Sequence, residues 1–306
     1  MPRFPRFYMR GQDPIRKNKP KKKTEKKQTA QGVSSSAQNE SLPSLQSMER
    51  LLSGLSGMGR GKRSAVDEAQ EIMDEAWEAP TRQRAVALAR KALEVSPDCA
   101  DAYILLAEEA SKSLEEAIEL YEKGVQAAER ALGKKRFKEY VGHFWGFLET
   151  RPYMRARSGL AQCLWAAGKR AEAMEHYWEL LRLNPNDNQG IRYLLMPCLI
   201  ELGRDEDAEK LLHQYEEDSA AVWIFSKVLL EFRKHGDSPT SSKLLQEALA
   251  ENKHVPSYLL DSKKMPRNLP DYYGFGDENE AVLYAYGNKG AWKATPGALE
   301  WLAARI

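Results

Sequence analysis

Reactive side chains are sparse in this sequence and do not converge. The five histidines, His143, His176, His213, His235 and His254, show no HxH or HxxxH spacing, so no stretch gathers the imidazoles that a zinc site requires. The three cysteines, Cys99, Cys163 and Cys198, form no CxxC pair. An odd number without that spacing points to a reducing, intracellular setting. Neither a GxSxG nor a GxxxxGK[ST] stretch is present, and Gly274-Phe275-Gly276 is too short for a phosphate loop and reads as a turn. Asp277, Glu278 and Glu280 form a carboxylate group that could hold a metal, and Asp277 with His254 is the one centre from which a hydrolase could be built. Helix capping is the simpler account of two of those carboxylates. The residues therefore predict no enzyme, no metal site and no cofactor.

What remains is the chemistry of recognition. Arg151, Arg155, Gln162 and Trp165, followed by Gln189, Arg192 and Tyr193, mix guanidinium, amide and aromatic groups in adjacent segments. Such a set suits an extended peptide or protein partner, in particular one carrying acidic groups; the competing reading pairs the arginines with the many local glutamates. A second set lies near the N-terminus, where Arg16, Lys17, Lys19, Lys21, Lys22, Lys23, Lys26 and Lys27 form a dense cationic block. It reads either as a solubilising tail or as an attractor, within residues 1–30, for nucleic acid, an anionic surface or an acidic partner. Phe4, Phe7 and Tyr8 stand among Arg3, Arg6 and Arg10 and could stack on bases. Leu45, Met48, Leu52 and Leu55 are spaced for one face of a short docking helix, which Gly54 and Gly57 weaken.

The net charge of +2 hides an asymmetry. Residues 1–64 carry 15 Lys/Arg against 4 Asp/Glu, a net of +11, and the remainder carries 31 against 40, a net of −9. Rich in Pro, Ser, Gly, Gln and Lys, the first 64 residues bury too little apolar surface to offset chain entropy and are expected to be disordered. The longest apolar run, Tyr193–Leu202, contains Pro197 and falls far short of the roughly 20 residues that span a bilayer. No apolar stretch follows the basic N-terminus as a secretory signal would require. A soluble, cytoplasmic protein without a transmembrane segment is the expectation.

The elements that must position these residues repeat. In Met154–Asp187, Leu160, Ala161 and Leu164 fit a first helix, Gly168 a turn, Ala173 and Tyr177 a second helix, and Pro185 an exit. Gly168 to Gly203 and Ala173 to Ala208 are each 35 residues apart. Val66–Cys99 and Ala100–Leu132 follow the same plan, and Val222–Val255 follows it more loosely. This is the pattern of a tetratricopeptide-type repeat, about 34 residues per helix pair. Ala or Gly at each crossing lets two helices approach, and each pair leaves an apolar face that only a neighbour covers. The expected fold is all-α: a right-handed α-α superhelix of about five helix pairs over residues 65–255. A disordered basic tail precedes it at 1–64 and a capping extension follows at 256–306.

In such an array the first helix of each pair (helix A) lines the concave face, where the recognition residues fall. Lys134–Pro152 breaks the period and reads as an extension of a second helix followed by an aromatic plug. Asp277 is expected to cap a helix over Glu278–Tyr286 that stops near Gly287 or Gly290, and Thr295-Pro296 to start another. Cys163 and Cys198 take equivalent places in adjacent repeats, about 8–10 Å apart by helix spacing, too far for the roughly 7 Å limit of a disulfide. They read as core fillers. The clamp of chaperone-binding tetratricopeptide domains needs Lys and Asn where Ser158 and Gln162 stand, so chaperone-tail binding is not expected.

Four segments carry a more specific likeness: Ala69–Trp77 (AQEIMDEAW), Ala100–Glu109 (ADAYILLAEE), Asn252–Leu260 (NKHVPSYLL) and Gly276–Leu302. They resemble the suppressor of tumorigenicity 7 family over roughly residues 66–302. The resemblance implies a tetratricopeptide-like region with a regulatory or scaffolding role, and it offers no catalytic residue to carry over. Animal members look membrane-anchored near their N-terminus. This sequence shows no such segment, so the resemblance implies a soluble relative.

Overall fold

A computed structural model describes residues 64–306. The basic block, the N-terminal aromatics and the Leu45–Leu55 spacing lie outside those residues. Five helix pairs follow one another: α1 (Ala65–Trp77) with α2 (Arg82–Val95), α3 (Ala100–Glu109) with α4 (Leu114–Glu139), α5 (Arg151–Ala166) with α6 (Arg170–Leu183), α7 (Ile191–Glu201) with α8 (Asp205–Gln214), and α9 (Ala221–His235) with α10 (Pro239–Glu251). Then come α11 (Val255–Leu259), α12 (Glu278–Ala294) and α13 (Ala298–Ala303). No strand occurs among the described residues. Successive helices pack on each other, the arrangement of an α-α superhelical repeat fold.

Local chemistry fixes the ends. Ser64 and Asp67 close a reciprocal capping box on α1, and Ser238 does the same with Ser241 on α10, where Pro239 fills the first helical position. Gly168 and Gly203, at φ 80 and 65, turn the chain after α5 and α7 in the left-handed region that glycine enters freely. Small residues set the spacing of the pairs. A Cβ on Gly159 of α5 would sit 2.2 Å from the Tyr121 ring of α4, so only glycine permits that crossing. A first buried cluster, built on Ala69, Met73, Ala89 and Leu105, joins the first two pairs, and a larger one runs from the second pair to the C-terminus.

Between the second and third pairs, α4 passes a break at Gly133 (φ 70) and runs on to Glu139. Two 3-10 turns follow, Phe144–Gly146 and Leu148–Thr150. Phe144 is fully buried, and its ring lies edge-on to Phe137 at 4.9 Å and Tyr153 at 5.8 Å. The plug is thus core packing.

The C-terminal extension differs from expectation in two places. Helix α12 does not stop at Gly287 or Gly290 but continues to Ala294. Trp292, fully buried with its Nε1 donating to the Tyr284 hydroxyl at 2.8 Å, draws the last turns into the core. That burial outweighs the roughly 1 kcal/mol each helical glycine costs. Nor does Thr295-Pro296 open α13. Thr295 ends α12 by donating to the Ala291 carbonyl at 2.9 Å and accepts from Arg233 Nε at 2.9 Å, so α13 begins after Gly297 at φ 77.

Helix α12 packs against α7 and α9. It runs parallel to α9, as successive contacts show: Ala221 with Glu280, Phe225 with Tyr284 at 5.5 Å, and Arg233 with Thr295. The extension therefore lies along the A helices of the last two pairs. No helix among the described residues is long and apolar enough to cross a membrane.

Candidate interaction surface

Asp101 begins the site. It stands one residue after the apolar entry of α3 and is 1% exposed, so its carboxylate requires partners. Arg155 of α5 supplies a fork, with Nη2 donating to Oδ2 at 2.8 Å and Nε to Oδ1 at 3.2 Å. Gln70 of α1 donates Nε2 to the same Oδ2 at 3.2 Å. One buried carboxylate thus ties the A helices of three consecutive pairs. These three rungs also identify the surface shared by α1, α3 and α5. Helix α1 holds Asp67, Glu68, Glu71, Asp74 and Glu75 along its length and no basic residue.

The other expected residues divide into two neighbourhoods. On α5, Arg151 donates Nε to the Trp145 carbonyl at 3.1 Å and lies over that ring, while Gln162 is half-buried and reaches back to the Ser158 carbonyl at 3.3 Å. Ser158 itself is buried, and its hydroxyl accepts from Gln162 Nε2 at 3.4 Å. Trp165 is half-buried, with the Arg170 guanidinium 4.1 Å above its ring and bridged onward to Glu201 at 3.3 Å.

The second neighbourhood centres on Arg192 of α7. It donates to Asp218 at 2.7 Å, to Asp187 at 3.1 Å and to the Tyr193 hydroxyl at 2.7 Å, and it stacks on Tyr193 and Tyr215. Asp187, at φ 48, also accepts the Ile191 and Arg192 backbone N–H groups at 2.7 and 2.9 Å and so caps α7. Burial, and then the Asp218 carboxylate to which its hydroxyl donates, push the Tyr193 phenol well above its ordinary range. Gln189 is half-buried beside this cluster, its enclosed Oε1 without a hydrogen-bond partner.

Arg155 and Arg192 are thus each engaged by aspartates, Arg155 by Asp101 and Arg192 by Asp187 and Asp218. Asp101, Asp187 and Asp218 are the residues that sequence reasoning missed. A signal existed for the first: an acid inside the otherwise apolar run Ala100–Ala107 demands a cation.

The C-terminal carboxylates serve as clips. Asp277 accepts from Glu280 N at 2.8 Å and Gly274 N at 2.6 Å, so both its oxygens hold backbone. Glu280 is buried and accepts from Ala221 N, Gly276 N and Asn252 Nδ2 at 2.8, 2.8 and 2.9 Å. Its carboxyl is raised by burial against those three donors. His254 donates its backbone N–H to Asn252 Oδ1 at 3.0 Å. The cysteines are buried, and burial pushes the Cys99 and Cys163 thiols up to about 12 and about 11, the wrong direction for a nucleophile. Among the described residues no group of three His, Cys, Asp or Glu side chains is placed to hold a metal ion.

Comparison with known proteins assigns the array. A family model described as ST7 protein matches residues 61–305. The chain belongs to the ST7 family. Among its ST7 relatives, the Protein ST7 homolog of Drosophila melanogaster is 28% identical over 263 residues, covering 78% of this chain and 48% of the relative. The Caenorhabditis elegans homolog is 28% identical over 275 residues, covering 76% of this chain and 50% of the relative. The suppressor of tumorigenicity 7 protein of Macaca fascicularis is 26% identical over 280 residues, covering 76% and 52%. This chain therefore spans about half the length of the ST7 relatives it matches.

Proposed function

We propose that this ST7-family chain is a non-enzymatic scaffold that holds a peptide segment of a protein partner along the surface shared by α1, α3 and α5. The observation that carries this reading is the Gln70–Asp101–Arg155 bridge, which locks three A helices into one pre-formed surface. A surface that does not have to order itself loses less entropy on binding. The half-buried Gln162 and Trp165 beside it offer an amide and a flat apolar face, the kinds of group that anchor a backbone and a side chain. Because Arg155 already holds Asp101, and because the charged residues of α1 are all acids, a basic or neutral segment suits this surface better than an acidic one. A structural part for Asp277 is supported by its two oxygens, both of which accept backbone N–H groups.

The test is selection of a random phage-displayed peptide library on the intact chain. Enriched peptides are expected to lose at least tenfold in affinity on Gln162→Arg with helical circular dichroism unchanged. Peptides that bind the Gln162→Arg protein equally well would move the function to another surface.

A further inference from the structure

We infer that α1 and α2 open as one unit, a lid that swings off α3 while the rest of the array stays folded. The inference goes beyond the peptide-binding reading and requires no occupant. It starts from side-chain size. The buried residues of the pair are Ala69, Met73 and Ala76 on α1 and Ala85, Ala89 and Ala92 on α2. Larger apolar neighbours such as Trp77, Leu88 and Leu93 are only partly buried. By contrast, α9 alone buries Trp223, Phe225, Val228, Leu229, Leu230 and Phe232. Stability follows the apolar area taken from water, and in a stacked array each pair is held by its own interfaces. The first pair is therefore held far less firmly than the pairs at the other end.

The line of opening runs through α3. Its Ala102, Leu105 and Leu106 belong to the small cluster shared with α1 and α2, while Ala100, Ile104 and Ala107 belong to the large one, which takes no buried residue from α1 or α2. Half-buried Leu120 of α4 meets both clusters. Parting along this line leaves the large cluster intact. It also leaves Asp101 with its counter-ion: α1 supplies the neutral amide of Gln70, but the Arg155 guanidinium comes from α5 and stays. The heavy penalty of breaking a buried ion pair thus does not guard the boundary at Asp101.

Two further features fall at the same boundary. Arg130 of α4 donates to the Asp98 carboxylate at 2.7 Å and to the Pro97 carbonyl at 3.4 Å, which keeps the turn between α2 and α3 on α4 as a pivot. An open cleft of about 330 Å³ lies where α2 begins and α3 ends, lined by Thr81, Arg82, Gln83, Val86, Glu109 and Ala110. Side chains beside such a gap lack partner atoms on one side. Arg82 pairs with Glu109 at 3.4 Å, but 64% of its side chain is exposed, and surface pairs of this kind contribute little. The closed form predominates, and the open form presents the apolar stripe of Ala102, Leu105 and Leu106.

Native-state hydrogen exchange of the full chain, read by mass spectrometry in rising sub-denaturing urea, tests this. Without urea, amides in the middle of α1 and α2 are expected to show one common protection, roughly a hundredfold below that of α7 and α9. In urea both should follow a single dependence, shallower than that of α7 and α9 because less surface is exposed. Met73→Ala is expected to quicken α2 together with α1, by about tenfold, with α7 and α9 unchanged. Equal protection throughout the array would overturn the inference, as would fast exchange confined to the helix ends or α4 opening in step with the pair. It would also fall if Met73→Ala quickened α1 alone or drew α7 and α9 with it. Should that substitution leave the pair open throughout, unprotected α1 and α2 beside protected α7 and α9 would uphold it.

Discussion

At the scale of single residues the fold is governed by a few buried charges. Arg192→Ala would leave Asp187 and Asp218 enclosed without their cation, and Arg155→Ala would do the same to Asp101. Each is expected to cost about 3–5 kcal/mol in chemical denaturation, and lysine at either place should recover little because a point charge cannot reproduce the fork. His176 adds a pH dependence. Burial, and then the nearby Arg157, lower its imidazole from 6.5 to about 4. The unfolded chain therefore binds the extra proton between those values while the folded chain does not. Stability from this residue is complete above about 6.5 and is lost as pH falls toward 4. Allowing for its partial exposure, the loss is about 1 kcal/mol, and His176→Gln should flatten the denaturation midpoint across that window. Asp101 was legible in the sequence as an acid in an apolar run. Its partner was not, because 54 residues separate Asp101 from Arg155 and no local period links them.

At the scale of elements, Glu280 decides where the C-terminal helix lies. It satisfies the first N–H of α9, the turn at Gly276 and the Asn252 amide together. Glu280→Ala strands three buried donors, for a loss of about 2–4 kcal/mol. Exchange of α12 amides should quicken while α1 to α4 keep their protection. The capping of α12 by Asp277 could be read from spacing alone, and the turn glycines Gly168 and Gly203 from their period. The helix end could not. Gly287 and Gly290 read as a stop, yet Trp292 is held in the core by Tyr284 on the same helix, and tertiary burial overrides local propensity. Thr295 misled for the same reason, since its hydroxyl answers Arg233 of α9 rather than its own downstream backbone.

At the scale of the whole molecule, the five pairs were legible because each repeat imposes the same small residues at the same crossings. The placement of the last fifty residues was not, because nothing periodic records that α12 turns back along α7 and α9 instead of stacking beyond α10. That return has a dimensional consequence. With the later A helices roofed over, the accessible track is only three helices wide, about 30 Å from edge to edge. An extended strand spans it with about nine residues and a helix with about twenty. If the proposed surface takes a segment, its width sets a length, and a longer guest is expected to bend or overhang.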